Sequence, residues 1–85
     1  MNNRPWFVYI LRCRDDSLYT GITNDIPERI KEHNSGEGAK YTRTRVPVRL
    51  VYREKYPDKS SARKREMEIQ GWPRETKLKL LDKGF

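Results

Sequence analysis

Apolar residues in this chain come in short runs whose spacing alternates between strand-like and helix-like periods. From Trp6 to Cys13 almost every position is apolar. Phe7, Tyr9, Leu11 and Cys13 fall on one face, and Trp6, Val8 and Ile10 on the other. A strand apolar on both faces belongs in the middle of a sheet. Asp15, Asp16 and Ser17 supply a polar turn, because their short side chains bond back to nearby amides. Leu18 to Thr23, rich in β-branched and aromatic residues, predicts a second strand. Gly21 within it marks a bulge or a close approach to the backbone.

The spacing then changes to that of a helix. Asp25 with Glu28 has the spacing of a capping box, and Pro27 is tolerated in the first turn, so a helix is expected from Ile26 to Asn34. Ile26, Ile30 and His33 share its inner face, Arg29 borders that face, and Glu28 and Glu32 point away. Residues 35–45 read as an exposed loop. Pro47 to Arg53 predicts a third strand with Val48, Leu50 and Tyr52 on one face, and the proline suits an edge. A second helix is expected from Ser60 to Gln70, capped by Asp58 or Ser60, with Ala62, Glu66 and Ile69 inward. Gly71 ends it, and Pro73 opens a last helix packed through Leu78 and Leu81. The order is ββαβαα: an α/β (α+β-like) domain with a small three-stranded, mostly antiparallel sheet flanked by helices.

Composition narrows the class. Eighty-five residues suffice for one domain, 1–85, with a thin core. Charged residues, at 36%, slightly exceed apolar ones at 34%, a balance that leans toward disorder. The clustering of the apolar residues and the 11% aromatic share argue instead for a folded domain. A lone Cys13 with a single histidine excludes an internal disulfide and a four-ligand zinc site. Without a long apolar run or a signal peptide, a cytoplasmic protein with no membrane contact is expected.

The charge of +7 is uneven. Residues 1–42 hold six basic and six acidic side chains, while residues 43–85 hold thirteen and six and account for the whole excess. Lys40, Arg43, Arg45, Arg49 and Arg53 occupy one fourteen-residue stretch without an acid. Such a run is the footprint expected for a phosphate backbone, or else a solvated surface.

Individually, Tyr9, Tyr19, His33 and Arg29 read as ordinary structural residues. Glu66 stands out, because a carboxylate on an apolar helical stripe is costly unless it is paired or used. Together they match the needs of phosphodiester hydrolysis. A hard divalent cation takes oxygen ligands, often one or two carboxylates plus water, which Glu66 offers. Arg29 can neutralise charge on the transferring phosphoryl group. Tyr9 or Tyr19, with His33, can orient or deprotonate the attacking water.

The ordered set Val8-Tyr9-Ile10, Tyr19-Thr20-Gly21, Arg29, His33 and a distant helical Glu66 resembles the GIY-YIG nuclease superfamily. The fuller pattern, over roughly Trp6 to Leu81, resembles its small stand-alone bacterial branch, similar to the catalytic domain of structure-selective junction endonucleases. The resemblance implies a DNA endonuclease acting on branched, flapped or nicked forms in repair or recombination. It implies one magnesium or manganese ion on Glu66, transition-state assistance from Arg29, and tyrosines matching Tyr9 and Tyr19 serving the nucleophilic water beside His33. Gly21 would leave room near the site, and Lys40, Arg43, Arg45, Arg49 and Arg53 would hold the backbone. The extra domain that usually supplies target recognition has no counterpart in the pattern, so a protein partner is expected to supply specificity. The first triplet reads VYI rather than GIY, Gln70 stands where lysine is common, and no asparagine follows the Glu66 helix.

Two alternatives stay open: a non-cleaving nucleic-acid-binding module of the same fold, and a partner-binding protein in which Glu66 and Arg29 form a buried ion pair. The nuclease reading carries a geometric requirement. Tyr9 and Tyr19 share a face only if paired residue numbers in the first hairpin add to an even sum.

Overall fold

The structure, a computed structural model, describes residues 4–82. Its elements are β1 (Trp6–Arg12), β2 (Leu18–Thr23), α1 (Ile26–Asn34), β3 (Arg49–Tyr56), α2 (Lys59–Gln70) and α3 (Arg74–Asp82). The sheet has the order β2-β1-β3 with both pairings antiparallel, so the strand apolar on both faces is the central one.

The hairpin β1–β2 closes through a short polar turn. The Cys13 amide donates to Ser17 O at 2.9 Å, and the Asp16 amide donates to Cys13 O at 2.9 Å. Asp16 takes the left-handed conformation with φ 72°, which aspartate tolerates better than most residues. Asp15 Oδ1 accepts from the Ser17 amide at 3.1 Å. The register that follows pairs Leu11 with Tyr19 and Tyr9 with Gly21. Paired numbers therefore add to an even sum, and Tyr9, Tyr19 and Gly21 share a face.

Side chains on the two faces of β1 build two separate cores. On one face Val8 and Ile10 pack with Ala62 and Ile69 of α2, and Trp72, Leu80 and Leu81 extend that cluster. On the other, Tyr9, Leu11, Cys13 and Val48 pack with Tyr19, Ile30 and Leu50. The inner positions of α2 are the expected Ala62, Glu66 and Ile69. In α3, Leu80 joins Leu81 against the core in place of Leu78.

β3 departs most from expectation. It starts at Arg49, not Pro47, and runs on to Tyr56. Its register slips between Ile10 and Leu11, which pair with Tyr52 and Leu50 and leave Val51 as an extra residue. That bulge flips the side-chain alternation. Val48 and Leu50 stay on the Tyr9 face, while Tyr52 passes to the Val8 face. The strand continues through Glu54 because its carboxylate is satisfied there. It accepts from Tyr52 Oη (2.5 Å), Tyr56 Oη (2.7 Å), Arg65 Nε (2.9 Å) and Arg65 Nη2 (3.1 Å), which ties α2 to β3.

Helix starts follow the sequence signals. Asp25 Oδ1 accepts from the Glu28 amide at 3.1 Å, and Asp58 Oδ1 from the Ser61 amide at 2.8 Å. Among the described residues no helix is long and apolar enough to cross a membrane.

Candidate active site

The site forms where the edge strand β2 meets helices from both layers. Its foundation is the pairing of Tyr9 with Gly21. A Cβ at position 21 would lie 2.6 Å from the Tyr9 hydroxyl and 2.7 Å from its ring carbon Cζ. Residue 21 must lack a side chain for the Tyr9 phenol to lie over the β2 backbone.

α1 then brings two polar groups to that phenol, four residues apart and so on one helical face. The Tyr9 hydroxyl and His33 Nε2 share a hydrogen bond of 2.9 Å, and Arg29 Nε donates to the same hydroxyl at 3.4 Å. Tyr19 completes the cluster, with its ring centroid 5.3 Å from His33 and 6.4 Å from Tyr9. Glu32, expected to face away, turns back and accepts from Arg29 Nη1 at 2.8 Å.

His33 is fully buried. Its Nδ1 lies 2.7 Å from Thr42 Oγ1 and accepts from the Ala39 amide at 3.4 Å. Burial, assisted by the positive charge of Arg29, pushes its pKa down to about 4, so the ring is neutral near pH 7. Burial also raises the Tyr9 hydroxyl to about 12, against the pull of the Arg29 hydrogen bond. The Tyr19 hydroxyl is likewise pushed up by burial, with Arg29 opposing the shift and Glu66 adding to it.

Glu66 arrives from the other side of the sheet. Its carboxylate accepts from Arg63 Nη1 at 2.8 Å and from Gln70 Nε2 at 3.3 Å. Gln70 also donates to Thr20 O at 3.2 Å, which fastens this face of α2 to the edge strand. Glu66 is 6% exposed, yet its charge acts on both tyrosines. The Glu66–Arg29 ion pair does not form, because each finds a nearer partner on its own helix, Arg63 and Glu32.

The donor set decides what Glu66 could hold. Among the described residues no group of three or more histidine, cysteine or acidic side chains is placed to bind a metal. A lone carboxylate fits an ion such as magnesium, which keeps water ligands and shares substrate phosphates. Thr20 adds a buried hydroxyl with no hydrogen-bond partner beside that edge.

The basic residues separate into groups. Lys40 and Arg43 are exposed on the 35–45 loop. Arg45 is tied down: it donates to Asp15 Oδ2 at 3.0 Å and to Tyr41 O at 2.6 Å, with its guanidinium 4.0 Å from the centre of the Tyr41 ring. Arg49 and Arg53 are exposed on β3, opposite Arg12 and Tyr9, across the sheet from β2. Sequence reasoning missed Thr42, Gly38 and Tyr41. Tyr41 stacks on Tyr19 at 6.0 Å and helps line a cavity of about 340 Å³ with Leu18, Thr20, Gln70 and Lys77. The only signal for them was the fragment Gly38-Ala39-Lys40-Tyr41-Thr42, which loop composition masks.

The family model of the GIY-YIG catalytic domain matches residues 5–79. A UPF0213 protein of Staphylococcus saprophyticus is 54% identical, covering 92% of this chain and 95% of that protein. One from Haloquadratum walsbyi is 53% identical over 92% and 88%. The solution structure of a UPF0213 protein from Bacillus halodurans is similar with a TM-score of 0.60 and 47% identity, covering 92% of this chain and 83% of that one.

Proposed function

The chain belongs to the GIY-YIG catalytic domain family, and from that premise we propose that it is a metal-dependent endonuclease hydrolysing phosphodiester bonds of branched, flapped or nicked DNA. One observation carries the reading. The Tyr9 hydroxyl, bonded to both His33 and Arg29, lies over Gly21 at the edge where the charge of Glu66 reaches both tyrosines.

In this reading Tyr9 and Tyr19 both orient the attacking water, and one of them, as the phenolate, acts as the general base that takes its proton. Arg29, whose pKa is raised by its bond to Glu32, stays cationic and neutralises charge growing on the phosphoryl oxygens. Glu66 holds a magnesium or manganese ion, which when bound supplies Lewis-acid polarisation of the phosphoryl group. Exposed Arg63 is free to exchange its bond to Glu66 for a phosphate. Lys40 and Arg43 hold the strand beside the site, and Arg49 and Arg53 reach a second arm.

The test compares wild type with Glu66→Ala on duplex, nicked, flap, junction and single-stranded substrates with magnesium or manganese. Wild type should cut at least one of them, and the variant should lose on the order of 10²-fold or more in rate while still binding. Equal cutting by the variant would remove Glu66 from the mechanism. Tight binding without cutting by wild type would favour the non-cleaving module.

A further inference from the structure

We propose that Thr42 and the Gly38–Ala39 backbone are a tautomer lock. They hold His33 with its proton on Nε2, so that the imidazole donates to the Tyr9 oxygen and does not take its proton. Two contacts on the far side of the ring carry this. The Ala39 amide hydrogen points at Nδ1 (3.4 Å), and a protonated Nδ1 could not accept it. The Thr42 hydroxyl is closer, at 2.7 Å. Its other acceptor within reach, Ala39 O at 3.1 Å, already accepts from the Thr42 and Arg43 amides at 3.2 and 3.1 Å. The Ala39 amide makes Nδ1 an acceptor. In the lock the Thr42 hydroxyl gives its single hydrogen to the nearer Nδ1 in place of Ala39 O, which leaves that nitrogen bare and puts the ring hydrogen on Nε2.

Gly38 makes the approach possible. A Cβ there would stand 2.3 Å from Nδ1 and 2.7 Å from the His33 Cα, so only glycine lets the loop close on the ring. The consequence lies at Tyr9. Its oxygen accepts from His33 Nε2 and from Arg29 Nε, and its own proton is committed to neither. Two donors converging on one phenol oxygen stabilise its phenolate, formed by loss of the proton to solvent, which is the form that can take a proton from the attacking water. His33 thus supports Tyr9 as a neutral donor, and Thr42 is a positioning residue.

The consequence for rate rests on the nuclease reading above, but the lock itself does not. His33 is the single histidine of the chain, so nitrogen-15 labelling of untagged protein gives one imidazole to assign. Long-range proton–nitrogen correlation at neutral pH should show a bare Nδ1 and a protonated Nε2. A protonated Nδ1 with a bare Nε2 would overturn the lock. Thr42→Val should populate the other tautomer and lower kcat on the order of tenfold with little change in KM, the size expected when a histidine loses an orienting partner. Thr42→Ser should restore both. If Thr42→Val stays folded by amide spectra and keeps wild-type tautomer and kcat, Thr42 has no positioning role. If wild type cuts no substrate, the nuclease reading fails while the tautomer measurement still decides the lock.

Discussion

The Tyr9 ring lies across Gly21, and a single added methyl at position 21 would come within 2.6 Å of the phenol oxygen. The clash is with the reactive end of the side chain, so relief means moving the hydroxyl off His33 and Arg29. Gly21→Ala should therefore cut activity much more than it harms the fold. Overpacking of this kind costs about 1–3 kcal/mol. Thermal unfolding together with turnover measures both effects, and a fully active Gly21→Ala would contradict the placement of Tyr9.

His33 supplies a pH signature. Its folded pKa is held down to about 4 by burial and by Arg29, whereas an unfolded histidine titrates at about 6.5. Because the folded value is lower, the unfolded chain takes up the proton first. Stability is then full above about pH 6.5 and is lost as pH falls toward 4. The ring resonances should titrate near 4, with no histidine step near 6.5 in the rate profile.

On the far face, Glu54 tests stability without touching the site. Burial pushes its carboxyl up, but bonds from Arg65, Tyr52 and Tyr56 outweigh this and hold it below its usual value. Its contribution is present above the ordinary carboxylate range and lost as pH falls through the lowered value. Glu54→Ala removes the acceptor of four hydrogen bonds and should cost about 1–3 kcal/mol. Denaturant unfolding should record that loss, while kcat well below the melting temperature stays at the wild-type value.

The basic residues should separate by role. Arg43→Ala should weaken DNA binding about uniformly across sequences and lower the salt slope by about one, with no change in stability. Arg45→Ala should also destabilise, by about 1 kcal/mol, because it frees Asp15 and uncovers the Tyr41 ring. Binding isotherms at several salt concentrations, read beside melting curves, distinguish the two. Equal stability of both variants would show that the Arg45 contacts are idle.

The chain by itself determined the element order, the central place of β1, the cap of α1 and the inward set Ala62, Glu66 and Ile69. These follow from local periodicity and capping chemistry, which act within a few residues. It also carried the residues that cluster with Tyr9, because Arg29 and His33 lie one helical turn apart and the hairpin parity has only two values. Only the tertiary structure decided the rest. Partners distant in sequence set the bulge at Val51 and the run of β3 through Glu54, since Arg65 satisfies that carboxylate from another helix. The same holds for Glu66, whose partner proved to be Arg63 and not Arg29 once α1 and α2 took opposite faces of the sheet. Thr42 was hidden most completely. A threonine in a glycine-containing polar loop has no periodicity to betray it, and its burial against His33 exists only after Gly38 lets that loop fold onto the ring.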